Sequence, residues 1–363
     1  MINYVIGLNK KELDTPVLCL DSEKLEENIA EMAEFLKRTG VSLRPHTKTH
    51  KCPTIAWMQL RAGAIGVTCA KMEEAEVMAR SGIRDILIAN QIVAPRKIKR
   101  LVSLASSADI MVAVDQPQNI QDISDAAAAR GVTVRMLIEV DVGMHRCGTE
   151  GAEEALVLAR QILEQPGVQF AGVMGYEGHA VMIEDDKQRE AAAKLAMSKL
   201  VGVRDSLAEQ GIEVGIVSGG GTGTYLTTGS FPGVTEIQAG SYATMDGRYR
   251  QVGIPFHHAL TVLAGVISTD GDDHAVTDAG LKTLTSEFGL PRVLRPKGWE
   301  VVKFSEEHSA LKRIDGEPLK PGDTVELIPS HGCTTINLHD YYVVTRKDAV
   351  EAVWPIAARG AVH

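Results

Sequence analysis

Ile110-Met-Val-Ala-Val114, then Pro117 to Arg130, then Thr133-Val-Arg-Met-Leu-Ile-Glu139: a short apolar run, a longer amphipathic stretch, and a second short apolar run. The outer two have the length and composition of strands buried on both faces, and the stretch between them has the period of a helix. Together they read as one parallel strand-helix-strand unit. The pattern recurs from 41 to 240, where eight runs begin at Val41, Ile65, Asp85, Ile110, Thr133, Val168, Ile212 and Thr235. Helices fall between most of them, among them Glu73 to Ser81, Pro117 to Arg130 and Lys187 to Gln210. Eight strands joined by crossovers predict an α/β fold, a closed (β/α)8 barrel of the TIM type. A helix over Ser22 to Arg38, capped by Asp21 or Ser22, precedes the first strand.

After about Arg248 the pattern changes. Strand-like alternations at Leu260 to Ile267, His274 to Asp278, Glu300 to Phe304, Thr324 to Ile328 and Tyr341 to Thr345 are broken by Gly, Pro and Asp. They predict a smaller, mainly antiparallel β-domain. The boundaries follow as 17–246 for the barrel and 247–363 with 1–16 for the β-domain, Val17 to Asp21 being a candidate further strand of the latter.

The 363 residues are 44% hydrophobic, 23% charged and only 4% aromatic, the composition of a globular protein with aliphatic cores. A net charge of -9 without a basic stripe argues against nucleic acid as a partner. No apolar run reaches membrane-spanning length and the first residues lack a signal-peptide core, so the expected location is the cytoplasm. The five cysteines (Cys19, Cys52, Cys69, Cys147, Cys333) are scattered and form no CxxC, which argues against a disulfide framework.

Chemistry in such a barrel gathers at the carboxyl ends of its strands. The segments there are Arg44-Pro-His46-Thr-Lys48-Thr-His50-Lys51 after the first strand, Asp141 to Gly148 after the fifth and Gly175-Tyr176-Glu-Gly-His179 after the sixth. Ser218 to Thr224 follows the seventh strand, and Gln238-Ala-Gly240-Ser241-Tyr242 the eighth. Lys48 presents an amine that can form an imine, and crowding by Arg44, Lys51 and the two histidines would favour its neutral form. A basic surface turn is the competing reading. Ser218, Gly220, Gly221 and Thr222 lie in a loop whose backbone N–H groups can approach an anion unobstructed, with Gly240, Ser241 and Tyr242 beside them; a flexible turn is the alternative. Pyridoxal 5'-phosphate (PLP) would place a phosphate on that loop and an aldehyde near Lys48, with His46 adjacent, Arg146 against the ring and Tyr176 near the pyridine nitrogen.

In an extended strand His331 and Cys333 would face the same side and could hold one divalent ion. Two ligands leave positions open for water or substrate, which suits a Lewis acid. A buried cysteine beside a surface histidine is the plainer alternative.

Several motifs in fixed order carry a resemblance: Arg-Pro-His-Thr-Lys48-Thr-His-Lys, Glu-Val-Asp-Val-Gly-Met-His-Arg146-Cys-Gly, Ser-Gly-Gly-Gly-Thr-Gly-Thr, Thr-Asp278-Ala-Gly-Leu-Lys, Ser-Glu306-Glu-His308 and Trp354-Pro-Ile-Ala-Ala-Arg-Gly. From about Leu13 to Gly360 the chain resembles the D-threonine aldolase and D-serine dehydratase group of alanine-racemase-like (fold type III) PLP enzymes. The resemblance implies a barrel plus β-domain, a homodimer, Lys48 as the Schiff-base lysine, and Arg146 and Tyr176 as cofactor contacts. It also implies a metal on His331 and Cys333, bordered by Glu306 and His308. D-threonine aldolases carry His-Cys-Asp where this chain has His331-Gly-Cys333. A His-x-Cys pair belongs instead to the zinc-dependent dehydratases, and thiolate favours zinc over manganese or magnesium. The aldolases also carry Tyr-His-Gly and a later Gln-His after the sixth strand, a histidine that has no match here, leaving His179 as the substitute base for a β-hydroxyl.

The implied substrate is a small β-hydroxy-D-amino acid. An aldolase would cleave Cα–Cβ to give glycine and an aldehyde, with His179 as base. A dehydratase would use Lys48 to take the Cα proton and give a 2-oxo acid and ammonia. A non-catalytic PLP-binding protein is the reading from another class, and it leaves the His331/Cys333 pair without a use.

Overall fold

The computed structural model describes residues 5–363. The chain divides into two compact units, one made of Met32–Lys48, Ile55–Gly240 and Ala361–His363, the other of the chain up to Glu31 with Thr49–Thr54 and Ser241–Gly360.

The larger unit is the expected barrel. Its strands run Ser42–Leu43, Val67–Cys69, Asp85–Gln91, Asp109–Val114, Val134–Glu139, Val168–Gly175, Ile216–Gly219 and Glu236–Ile237. Each pairs in parallel with its neighbour from the second strand round to the eighth, and the eighth pairs with the first. A parallel bridge between His46 and Thr68 closes the ring, with Thr47 N–H donating to Thr68 O at 2.8 Å and Thr68 N–H to Pro45 O at 2.9 Å. Inside, Leu87, Met111, Ala113, Leu137 and Met174 form a layer taken from alternate positions of four neighbouring strands.

The seventh strand starts at Ile216 and not at Ile212. The helix Asp186–Glu209 ends at Gly211, whose φ of +78° lets its N–H reach Ala208 O and that of Ile212 reach Leu207 O. Ile212 is therefore the apolar residue that closes a Schellman motif, a role that apolar periodicity does not distinguish from a strand's first residue.

A buried ion network lies within the barrel. Arg44, 2% exposed, donates from Nε to Glu236 at 3.0 Å and from Nη1 to Asp85 at 2.6 Å, and Arg135 joins Asp85 to Asp109. Arg44 therefore has its charge taken up by carboxylates.

The smaller unit is built on a nine-stranded, mainly antiparallel sheet. Val17–Asp21 lies within it, antiparallel to Leu260–Asp270 on one side and parallel to Tyr341–Arg346 on the other. This is the further strand offered for the β-domain, and Leu18, Cys19 and Leu20 are fully buried in its sheet. Ser241 to Gly360 groups with this unit as well. The helix Ser22–Thr39 follows Asp21, whose carboxylate accepts Lys24 N–H at 3.1 Å. None of the five cysteines is in a disulfide, and among the described residues no helix is long and apolar enough to cross a membrane.

Candidate active site

Lys48 lies just beyond the strand Ser42–Leu43, in a segment fixed from two directions. The Thr47 hydroxyl donates to Glu74 at 2.9 Å, and the same fully buried carboxylate accepts Ala70 N–H at 2.7 Å. On the other side Gly240 meets His46 so closely that a Cβ there would stand 2.2 Å from His46 O. Lys48, half-buried, carries its Nζ 5.4 Å from the centroid of the Tyr176 ring, and the guanidinium carbon of Arg146 lies 5.9 Å from the same centroid. Three residues far apart in sequence and expected at one rim are therefore brought together around a single aromatic ring.

The Tyr176 ring occupies a slot kept open by missing side chains. A Cβ at Gly178 would fall 2.6 Å from its Cε1, and one at Gly221 would fall 3.2 Å from its Cε2. Arg146 is delivered by a loop that Asp141 organises: its Oδ1 accepts Gly143 N–H at 2.9 Å and His145 N–H at 3.0 Å. Burial would raise the Asp141 carboxyl, but these amides hold it below the ordinary carboxylate range. Arg146 also stands 3.7 Å from Glu139, whose carboxyl is pushed up by burial against the opposing effects of Gln91 and Arg146.

The glycine-rich loop is more committed than its sequence suggested. The Ser218 hydroxyl donates to Glu236 at 2.7 Å and accepts from Gln238 at 2.9 Å, so this candidate cofactor contact is engaged inside the barrel. Gly220 N–H goes to Glu177 at 3.1 Å and Gly221 N–H to Thr224 Oγ1 at 3.2 Å. Thr222 is buried next to them. Ser241 and Tyr242 fall in the β-unit. There Ser241 Oγ lies 3.0 Å from Thr49 Oγ1 and 3.8 Å from Cys333 Sγ, while Tyr242 is a core residue against Phe256. His179 is exposed, and its ring lies against Gly143, where a Cβ would be 3.3 Å from its Cε1.

His331 and Cys333 do meet, though not as neighbours on a strand face. His331 is the extended N-cap of the helix Gly332–Ile336, and Cys333 sits in that helix's first turn. The helix start is pinned by Asp246, which accepts Gly332 N–H at 2.9 Å. Burial would lower the His331 imidazole, but the hydrogen bond and charge of Cys333, with Glu287 and Asp246, push it up to about 9. Its Nδ1 bonds to the Glu287 carboxylate, which also receives the Thr334 hydroxyl at 2.6 Å, and Phe288 packs on the ring at 4.7 Å. An imidazole anchored at Nδ1 by a carboxylate, with a thiolate beside it, fits a divalent ion, and binding would displace the pair's proton. Among the described residues no group of three or more His, Cys, Asp and Glu is arranged to hold a metal ion. Glu306 and His308 lie on an exposed turn between Trp299–Phe304 and Ser309–Arg313.

PLP fits the barrel rim on similar grounds: an amine beside an aromatic ring, a guanidinium over that ring, and a cradle at Gly221 that a Cβ would fill. Sequence reasoning missed Glu74, Glu177 and Glu287, the carboxylates that hold these segments. The one local signal was a lone acid between Tyr176 and Gly178 in an otherwise neutral turn.

Comparisons with known proteins agree with this geometry. Residues 20–247 match the family of the alanine racemase N-terminal domain, and residues 259–345 match a putative serine dehydratase domain. The chain belongs to the alanine-racemase-like family. It is 39% identical over 353 residues to a D-threonine aldolase of Arthrobacter sp, covering 96% of this chain and 93% of that one. A D-threo-3-hydroxyaspartate dehydratase of Delftia sp. is more distant, at 30% identity over 94% of this chain and 97% of its own. The crystal structure of a D-threonine aldolase from Filomicrobium marinum superposes with a TM-score of 0.96 at 36% identity, covering 99% of both chains.

Proposed function

We propose that the protein is a PLP- and divalent-metal-dependent lyase acting on β-hydroxy-D-amino acids, of the D-threonine aldolase type. The observation that carries the reading is the placement of the Lys48 amine and the Arg146 guanidinium at the Tyr176 ring, joined to whole-chain similarity to a D-threonine aldolase. Lys48 is the residue that would hold the cofactor, with Arg146, Tyr176, Gly221 and Thr222 around it. His331 and Cys333 would hold the metal, zinc being favoured by the thiolate. When bound, PLP supplies an electron sink for the pair released at Cα, and the ion supplies Lewis acidity.

The work left to the chain is proton transfer and positioning. His179 is the proposed base for the β-hydroxyl. As that proton leaves, the Cα–Cβ bond breaks, Cβ departs as an aldehyde, and Cα takes a proton to become glycine. The Asp141-ordered loop carries Arg146 to the rim, and Glu139 opposes its charge from the barrel side. Homodimerisation is part of the same reading, supported by the family resemblance, and sedimentation would test it.

A second reading is favoured by the thiolate in the donor pair: a dehydratase in which Lys48 takes the Cα proton and hydroxide leaves, giving a 2-oxo acid and ammonia. Purified protein incubated with PLP and zinc or manganese separates the two. Aldehyde and glycine from D-threonine support the aldolase, whereas 2-oxo acid from D-serine or D-threonine supports the dehydratase. Neither product with either metal would refute both and leave a cofactor-binding protein.

A further inference from the structure

Glu177 has no exposed surface, yet it carries a carboxylate at the barrel rim, next to Tyr176, and no step of the proposed reaction uses it. Burying such a group is costly unless donors surround it. Here Oε2 accepts Gly220 N–H at 3.1 Å, and Oε1 accepts the hydroxyls of Thr224 at 2.7 Å and Thr228 at 2.5 Å. Thr224 gives its proton to Glu177, so its oxygen is oriented to accept Gly221 N–H at 3.2 Å. One carboxylate thus ties down both ends of the segment Gly221–Gly223, at Gly220 and at Thr224. Gly220 takes a φ of +80°, the left-handed conformation the turn requires. The segment cannot shift toward Val181, because a Cβ at Gly223 would already fall 2.1 Å from Val181 O.

We propose that Glu177 is a positioning residue that presets the glycine loop for the phosphate of PLP. This rests on the reading above that the loop receives that phosphate. The Gly220 and Gly221 amides are given up to internal bonds, and in exchange the segment between Gly220 and Thr224 is ordered before the cofactor arrives. A loop ordered in advance does not lose conformational freedom on binding, and the saving appears as affinity for the phosphorylated ligand.

The prediction is specific to the phosphate. In Glu177→Gln the amide nitrogen can no longer accept from Gly220 N–H or from a threonine hydroxyl, so the tie at one end opens. Thr224→Val removes the relay without touching the carboxylate, and Thr224→Ser keeps it. Apoenzyme is reconstituted with PLP or with pyridoxal, and affinity is read from the absorbance of the imine with Lys48. Glu177→Gln and Thr224→Val are expected to bind PLP about tenfold weaker, the scale of one lost charge-assisted hydrogen bond, with pyridoxal within about twofold of wild type. Thr224→Ser is expected to retain wild-type discrimination.

Equal weakening of both ligands, or none, would overturn the proposal, since a general structural defect has no reason to single out the phosphate. If Glu177→Gln does not fold, the Thr224 pair decides alone. A wild-type enzyme that binds PLP no better than pyridoxal would instead remove the phosphate reading on which the proposal stands, a result visible before any variant is made.

Discussion

Replacing Gly240 by alanine tests whether the segment before Lys48 is held by close backbone packing. An alanine Cβ would stand 2.2 Å from His46 O, 3.1 Å from His46 C and 3.2 Å from His46 Cβ. Two of these are backbone atoms, and His46 is fixed from the other side by its bridge to Thr68. The clash therefore cannot be relieved by rotating a side chain, and something must move by roughly 1 Å to restore ordinary contact. Overpacking of this kind costs about 1–3 kcal/mol, which for a chain of this size is a loss of a few degrees in Tm. The catalytic effect should be larger, because Lys48 is two residues along and a misplacement of about 1 Å at a reacting group costs on the order of a hundredfold in rate. Differential scanning fluorimetry beside an aldehyde-release assay measures both. A Gly240→Ala enzyme within about threefold of wild type in kcat/KM would refute the idea that this contact sets the lysine.

Arg44→Met should lower the unfolding free energy by about 3–5 kcal/mol, because it leaves the Glu236 carboxylate, 2% exposed, without its cation; Arg44→Met with Glu236→Met should recover most of the loss, and an unchanged urea midpoint in the single variant would contradict this. Glu287→Gln should weaken zinc binding by about 10-fold to 100-fold, since the carboxylate orients His331 through Nδ1; calorimetric titration showing wild-type affinity would exclude that role. His258 supplies a pH test. Burial, with Arg292, Arg250, Lys24 and His257 nearby, lowers its imidazole to about 4, and neither ring nitrogen has a hydrogen-bond partner. A folded value below the unfolded 6.5 means that the unfolded chain binds the proton first. Its stabilising contribution is complete above about pH 6.5 and is lost as the pH falls toward 4, by up to about 3 kcal/mol. His258→Leu should flatten the urea stability profile over that window, and an unaltered profile would show that His258 is not its source.

The barrel was legible because its strands are buried on both faces. Runs such as Asp109–Val114 and Val134–Glu139 announce themselves by composition, and the helix Pro117–Arg130 by its period. Legibility failed where a local pattern serves two structures equally well. Ile212 has the look of a strand residue and ends a helix instead. Val17–Asp21 was legible as a further strand of the β-domain but its pairing was not, because its partners lie more than two hundred residues away, at 260–263 and 343–345. His331 and Cys333 suggested a strand face, while the chain had already turned into a helix whose first N–H is held by Asp246.

The sequence by itself determined the alternation that closes the barrel and the β-rich tail, and it offered a set of candidate reactive groups: one amine, one guanidinium, one phenol, one imidazole and one thiolate. These are properties of residue type and period, which are written along the chain. Only the tertiary structure decided how they are held. Ser218 is turned onto Glu236, Arg44 is paired with buried Glu236, and Glu74, Glu177 and Glu287 brace the segments that hold the candidate site residues. A buried carboxylate takes whichever donors the fold brings within 3 Å or so, and for Glu177 those donors lie 43 to 51 residues away, beyond the reach of any local pattern.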